Sequence, residues 1–201
     1  MEFRDVVARR RMVRRYSDRP VPTEVVERLV DTARRAPSAG FSQGQSFVVV
    51  TEEATRRKMA RLADEDEYVK AGLPPWISRS PVHVVVCTSE QTYHERYREP
   101  DKVQDDGSEI DWPVPYWYVD AGAAMMLLLL AAVDEGLGAG FFGFHRLPGL
   151  RELLGIPPEV MPIGAVTLGY PEGEQPRGSA SRGRRSTREV IHWERWQARN
   201  S

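Results

Sequence analysis

Apolar positions along this chain fall into three kinds of pattern. Val25, Val26, Leu29, Val30 and Ala33 recur at the spacing of one helix face, behind a Thr23 able to cap the first turn. That predicts an amphipathic helix over Thr23 to Arg35, ending before Pro37. Phe47 to Thr51, Val82 to Thr88 and Pro162 to Leu168 are short β-branched runs, which predict core strands. Between the first two, charged residues surround Ala54, Met59 and Leu62, the pattern of a surface helix over Glu53 to Leu62. Ala121 to Val133 is different, with no charge and no polar face, introduced by Asp120 as a candidate N-cap and closed by Gly136. A helix that is apolar all round must be buried on all sides. We expect a second copy of the chain to cover part of it, in preference to wrapping by the chain's own sheet and neighbours.

Glu90 to Trp117 shows no sustained period. Tyr93, His94, Tyr97, Trp112, Tyr116 and Trp117 are interleaved with Pro100, Pro113, Pro115 and the acidic Asp105-Asp106. The segment at about 90–118 therefore predicts a loop-rich aromatic insertion, which reads equally as a flap over a ligand or as a surface excursion. From about 171 to 201 the chain predicts an extended tail, rich in Gly, Pro, Ser and Arg, with Ile191, His192, Trp193 and Trp196 as apolar anchors for docking. A length of 201 residues with 41% hydrophobic content suits a single domain over 1–201, and no internal repeat divides it.

Charge changes this picture at the two ends. Arg9, Arg10, Arg11, Arg14 and Arg15 crowd one terminus and Arg182, Arg184 and Arg185 the other, in a chain whose formal net charge is only -1. Guanidinium forks gathered in an otherwise balanced protein point to a compact anion such as a phosphate, the bland alternative being a solvated face. The balance, and the lack of any recognisable reading module, argue against nucleic acid as a partner. Cys87 is the single cysteine and sits in an apolar run, so a buried, reduced thiol and a cytoplasmic location are expected. Glu2, Arg4 and Asp5 stand where a signal peptide needs apolar residues, and no segment reaches the roughly 20 apolar residues that span a bilayer, so no membrane partner is expected.

His83, His94, His145 and His192 form no metal-ligand spacing with Cys87 or a carboxylate, and no metal is assigned. Gly138-Ala139-Gly140-Phe141-Phe142-Gly143 satisfies G-x-G-x-x-G, but follows a helix and runs into a strand-like stretch, the reverse of a dinucleotide-binding turn. Its glycines read as permitting close approach to something planar, or as turning the chain after the helix. Ala36-Pro37-Ser38-Ala39-Gly40 is a near miss for a nucleophile elbow in the wrong element order. The polar loop Ser38 to Gln45 is better suited to presenting amides and hydroxyls to a ligand edge, or is simply a turn.

Taken in order, these pieces resemble the nitroreductase family of flavin enzymes. Arg10-Arg11-Met12-Val13-Arg14-Arg15-Tyr16 is similar to the family's R-R-S-x-R-x-[FY] opening, and Ala36 to Gln43 to its A-P-S-x-x-N-x-Q loop. Leu153-Leu154-Gly155-Ile156-Pro157, Leu168-Gly169-Tyr170-Pro171 and the ending Arg184-Arg185 with Val190-Ile191-His192-Trp193 continue the match. The resemblance implies an α+β fold with a central, mostly antiparallel sheet flanked by helices, and an intertwined homodimer built on a long buried central helix. It implies FMN as cofactor and NAD(P)H as electron donor to a small-molecule acceptor, such as a nitroaromatic, a quinone or an unsaturated metabolite. The flavin would carry the chemistry, so no catalytic side chain is assigned.

Carried over position by position, Arg10, Arg11, Met12 and Arg14, with Arg184 and Arg185 from the far end, would hold the FMN phosphate and ribityl chain. Pro37, Ser38, Ala39, Gly40 and Gln43 would line the flavin from the partner subunit, and Phe142 and Gly143 would bring backbone N–H groups near its reactive nitrogen. Phe41, Phe141, Tyr116, Trp117 and Tyr118 would bound the acceptor pocket. Met12 stands where the family usually has Ser, Phe41 where it has Asn, and Gly44-Gln45 where Pro-Trp is common. Those departures keep open a deazaflavin coenzyme, a specialised dehydrogenase or dehalogenase, and a flavin-binding protein without turnover.

Overall fold

The computed structural model describes residues 1–175 and 179–197. Its elements in chain order are α1 (Phe3–Arg9), α2 (Thr23–Ala33), β1 (Gln45–Val50), α3 (Glu53–Leu62), α4 (Glu65–Lys70), α5 (Trp76–Arg79), β2 (Val82–Thr88), α6 (Glu90–Tyr97), α7 (Tyr116–Asp134), β3 (Gly138–Phe142), α8 (Leu147–Leu154), β4 (Met161–Gly169) and α9 (Thr187–Val190). Four strands make one sheet in the order β1-β2-β4-β3, each neighbouring pair antiparallel. This is the expected α+β arrangement.

The alternation of β2 builds the two cores. Every residue of β2 is buried, so both faces of the strand need cover. Val82, Val84 and Val86 point into a cluster with Val26 and Leu29 of α2 and Ala121, Leu128 and Ala132 of α7. Val85 and Cys87 point the other way, among Met59 of α3, Ile77 of α5 and Leu150 of α8. Burial pushes the Cys87 thiol up to about 11, so it stays protonated.

Several expected boundaries move. Pro22, not Thr23, occupies the N-cap of α2, without a side-chain bond, and the helix ends at Ala33. The insertion is half regular: Glu90 to Tyr97 is helical, and Tyr116 to Tyr118 are the first turn of α7. Asp120 is therefore no cap; it lies in the second turn of a 19-residue helix that Pro115 precedes. By length and composition α7 is long and apolar enough to cross a membrane, contrary to expectation. Nor is it buried all round by its own chain, for Val119 and Met126 are exposed.

The tail leaves the sheet through a bridge between Tyr16 and Pro171. Beyond it, α9 opens with a reciprocal capping box between Ser186 and Glu189. Ile191, Trp193 and Trp196 are exposed, the two tryptophans at 74% and 82%, and Trp196 stacks on His192 of the same tail with ring centres 4.2 Å apart. Residues 176–178 and 198–201 of the expected tail lie outside the described residues.

Candidate functional site

The arginine-rich segment after α1 runs along the outer edge of β3. Met12 bridges Ala139 in parallel register, and the Val13 N–H donates to the Ala139 carbonyl at 2.9 Å. That approach accounts for two glycines: a Cβ at Gly138 would stand 2.7 Å from Val13, and one at Gly140 2.7 Å from Thr167 and Trp76. The G-x-G part of the motif thus serves packing of the chain on itself. The Tyr16 hydroxyl donates to the Val13 carbonyl at 2.9 Å and lies 2.7 Å from Thr167 Oγ1. Burial raises its pKa well above the ordinary tyrosine value.

This frame fixes Arg14. Its amide donates to Gln175 Oε1 at 2.8 Å, and its guanidinium stands 5.6 Å from the centre of the Trp76 ring. Arg14 and Trp76 line a cleft of about 320 Å³ with Arg15, Pro75, Arg79 and Glu172. Trp76 is buried and its indole N–H has no acceptor among the described residues. An orphaned buried donor costs about 1–3 kcal/mol unless something outside the chain answers it. Arg10 and Met12 are half-buried nearby in sequence, and Arg11 is exposed.

Arg184 and Arg185 are exposed on the tail. Arg185 lines a separate cleft of about 340 Å³ whose other walls, Glu189, Val190, His192, Trp196 and Gln197, all belong to the tail. That cleft shares no lining residue with the one at Arg14.

At the end of β3 the motif changes character. Phe142 is buried edge-to-face against Trp76, His83 and Phe144. Gly143 is exposed, has no positive φ, and a Cβ there would meet nothing within 4 Å. Its N–H finds no acceptor among the described residues. Nothing in the chain itself demands glycine at 143, which leaves room and a free donor for a group from outside. His83, beside Phe142, is spent on structure. Its Nε2 lies 2.7 Å from the Ile77 carbonyl, and burial pushes the imidazole down to about 4, so the ring is neutral.

The loop between α2 and β1 is tied to α7. Asp120 is buried, and its Oδ2 accepts both the Ala39 N–H at 2.9 Å and the Tyr93 O–H at 2.8 Å. Gln43 N–H donates to Ser38 Oγ at 2.9 Å. Pro37 is exposed, Ser38, Ala39 and Gly40 are half-buried, and Phe41 stands 73% exposed. Of the other expected pocket residues, Tyr116 and Tyr118 are exposed on the first turn of α7. Phe141 is half-buried and lies over Gly164, where a Cβ would come within 2.5 Å of its ring. Trp117 departs from expectation: it is buried among Tyr93, His94 and Trp112, so its ring is core and not pocket wall.

Trp76, Tyr93 and Asp120 were not singled out as site residues from sequence. A signal existed for Asp120, the one acid at the head of an otherwise apolar run. Trp76 gave none beyond the Pro74-Pro75 before it. Among the described residues no group of three or more His, Cys, Asp or Glu could hold a metal ion.

The sequence profile of the Nitroreductase family matches residues 7–170. A protein of Archaeoglobus fulgidus that bears the assigned name NADH dehydrogenase/NAD(P)H nitroreductase is 31% identical over 93% of this chain and 94% of its own length. An FMN reductase (NAD(P)H) of Bacillus subtilis is 28% identical over 80% of this chain and 62% of its own. Among solved structures, a nitroreductase family protein of Streptococcus pneumoniae superimposes with a TM-score of 0.75 at 23% identity, covering 95% of this chain and 99% of that one, a likeness of fold.

Proposed function

This chain belongs to the nitroreductase family, and on that premise we propose that it is an FMN-dependent oxidoreductase that passes electrons from NAD(P)H to a small oxidised acceptor in ping-pong order. The acceptor class is a nitroaromatic, a quinone or an unsaturated metabolite. FMN, when bound, supplies the two-electron exchange; the chain supplies position, electrostatics and shelter from water.

The residues present fit such a group. The observation that carries the reading is the cleft at Arg14, where a guanidinium lies above a buried indole whose N–H has no acceptor among the described residues. A phosphorylated, hydroxylated chain offers acceptors to both. Arg10, Arg11 and Arg14 hold the phosphate and ribityl end, while Met12, lacking a hydroxyl, adds only apolar contact. Gly143, open on its Cβ side, offers its N–H to the edge of the ring system. Pro37, Ser38, Ala39, Gly40 and Gln43 reach the ring from a partner copy, and Arg184 and Arg185 join the phosphate when the exposed tail closes on the assembled pair.

Support for the partner copy comes from α7. Val119 and Met126 are exposed and Leu130 and Val133 half-buried at helical spacing, and a Cβ at Gly122 would meet nothing within 4 Å. A glycine inside a helix costs about 1 kcal/mol against alanine. One on an open apolar face suits close approach of a second helix.

The test is direct. Purified protein should be yellow, release FMN on denaturation, bleach anaerobically with NADPH or NADH, and recolour on addition of a quinone or nitroaromatic. Colourless protein that ignores added FMN would end the proposal.

A further inference from the structure

The loop that presents Phe41 is held in a shape its own residues disfavour. The backbone is left-handed at Gly40 (φ 59°), Phe41 (φ 58°) and Gln43 (φ 53°), and two of those three carry a Cβ. Such a conformation persists only where the surroundings over-determine it. The surroundings here come from the aromatic insertion. Arg96 Nε donates to the Gly40 carbonyl at 2.8 Å, and Arg96 is fixed in turn by two 2.7 Å bonds to Asp101. Tyr97 lies so close over Gly40 that a Cβ there would stand 2.6 Å from its ring, and Tyr93 closes on Gly44 to the same distance. With the Ala39 and Tyr93 bonds to Asp120, the loop is gripped on both sides of Phe41, whose ring is left in the open.

We propose that Tyr93, Arg96 and Asp120 are positioning residues that set acceptor selectivity, by holding Phe41 as a ready-made apolar wall for planar acceptors. The inference rests on the proposed flavin chemistry and goes beyond it in naming what selects the acceptor. A ring already fixed in place loses little freedom when a flat molecule stacks on it, whereas a ring on a loose loop must be ordered by the ligand. Molecular oxygen has no face to stack and gains nothing from the wall. Loosening the grip therefore penalises a quinone and spares oxygen.

The test compares wild type with Arg96→Gln and Tyr93→Phe, the latter keeping the ring in its packing. In ping-pong order kcat/KM for an acceptor reports only the oxidative half-reaction, so effects on NAD(P)H cancel. Hydrogen exchange at amides 38–43 should speed up in both variants. With rates normalised to bound FMN, the ratio of kcat/KM for menadione to that for oxygen should fall about tenfold, the effect of freeing one immobilised side chain. In a Phe41→Ala background the same substitutions should lower the ratio no further. An unchanged ratio in a variant with a faster-exchanging loop, an unchanged loop, or a fall that persists without Phe41 would each overturn the inference. Failure of the flavin reading itself shows separately, as a wild type that holds no FMN.

Discussion

Arg14 has its amide tied to Gln175 and its guanidinium over Trp76, and no carboxylate lies within ion-pair distance of it among the described residues. A cation placed and left unpaired is what a phosphate site needs. Arg14→Ala should weaken FMN binding about 10- to 100-fold, the worth of a charge-assisted bond of about 1.5–3 kcal/mol. Arg14→Lys should fall between, because a point charge cannot fork. Quenching of flavin fluorescence on titration checks both. His83 makes a different prediction. Its folded pKa is down at about 4 against an ordinary 6.5, so between those values the unfolded chain takes up a proton that the native chain refuses. The stabilisation is complete above pH 6.5 and is lost as pH falls toward 4, about 3 kcal/mol in all. Denaturant titrations at pH 7 and pH 4.5 should show that loss in wild type and a smaller one in His83→Gln. At this scale the arginines were legible because their charge repeats along a few residues. Trp76, Tyr93 and Arg96 were not, because each acts on a partner more than 25 positions away or on a group outside the chain.

Single elements were legible where one force dominates. Glu53–Leu62 and Val82–Thr88 match their expected bounds because the helix shows one polar periodicity and the strand an unbroken β-branched run. The start of α7 was misplaced by a local preference: an aspartate before an apolar run resembles a cap, but this one is held inside the helix by the Ala39 amide and the Tyr93 hydroxyl. Its apolar length was legible, and what covers it was not. Met126 is 45% exposed in one chain, so Met126→Asp should change the stability of an isolated copy by no more than about 0.5 kcal/mol. If the protein pairs as proposed with α7 as its seam, the same substitution should leave a monomer where wild type gives a dimer in light scattering, with FMN content falling alongside. A variant that stays dimeric would place the seam elsewhere.

For the molecule as a whole, the sequence described a ligand gathered between two ends of the chain. In one copy Arg14 and Arg185 line clefts without a residue in common, and Trp193 and Trp196 are largely exposed. Spacing along one chain could not reveal this, since nothing local records which surfaces wait for a second molecule. The sheet that both cores share makes one last measurement possible. Cys87 is the chain's single thiol and lies on β2 between β1 and β4, 1% exposed. An aromatic disulfide reagent can reach it only when that strand is uncovered. Labelling should therefore be slow in native buffer, and its rate should climb with urea in step with loss of the global fold. Nature has thus left one built-in chemical clock at the centre of the protein, reading how often the whole sheet comes apart without any engineered probe.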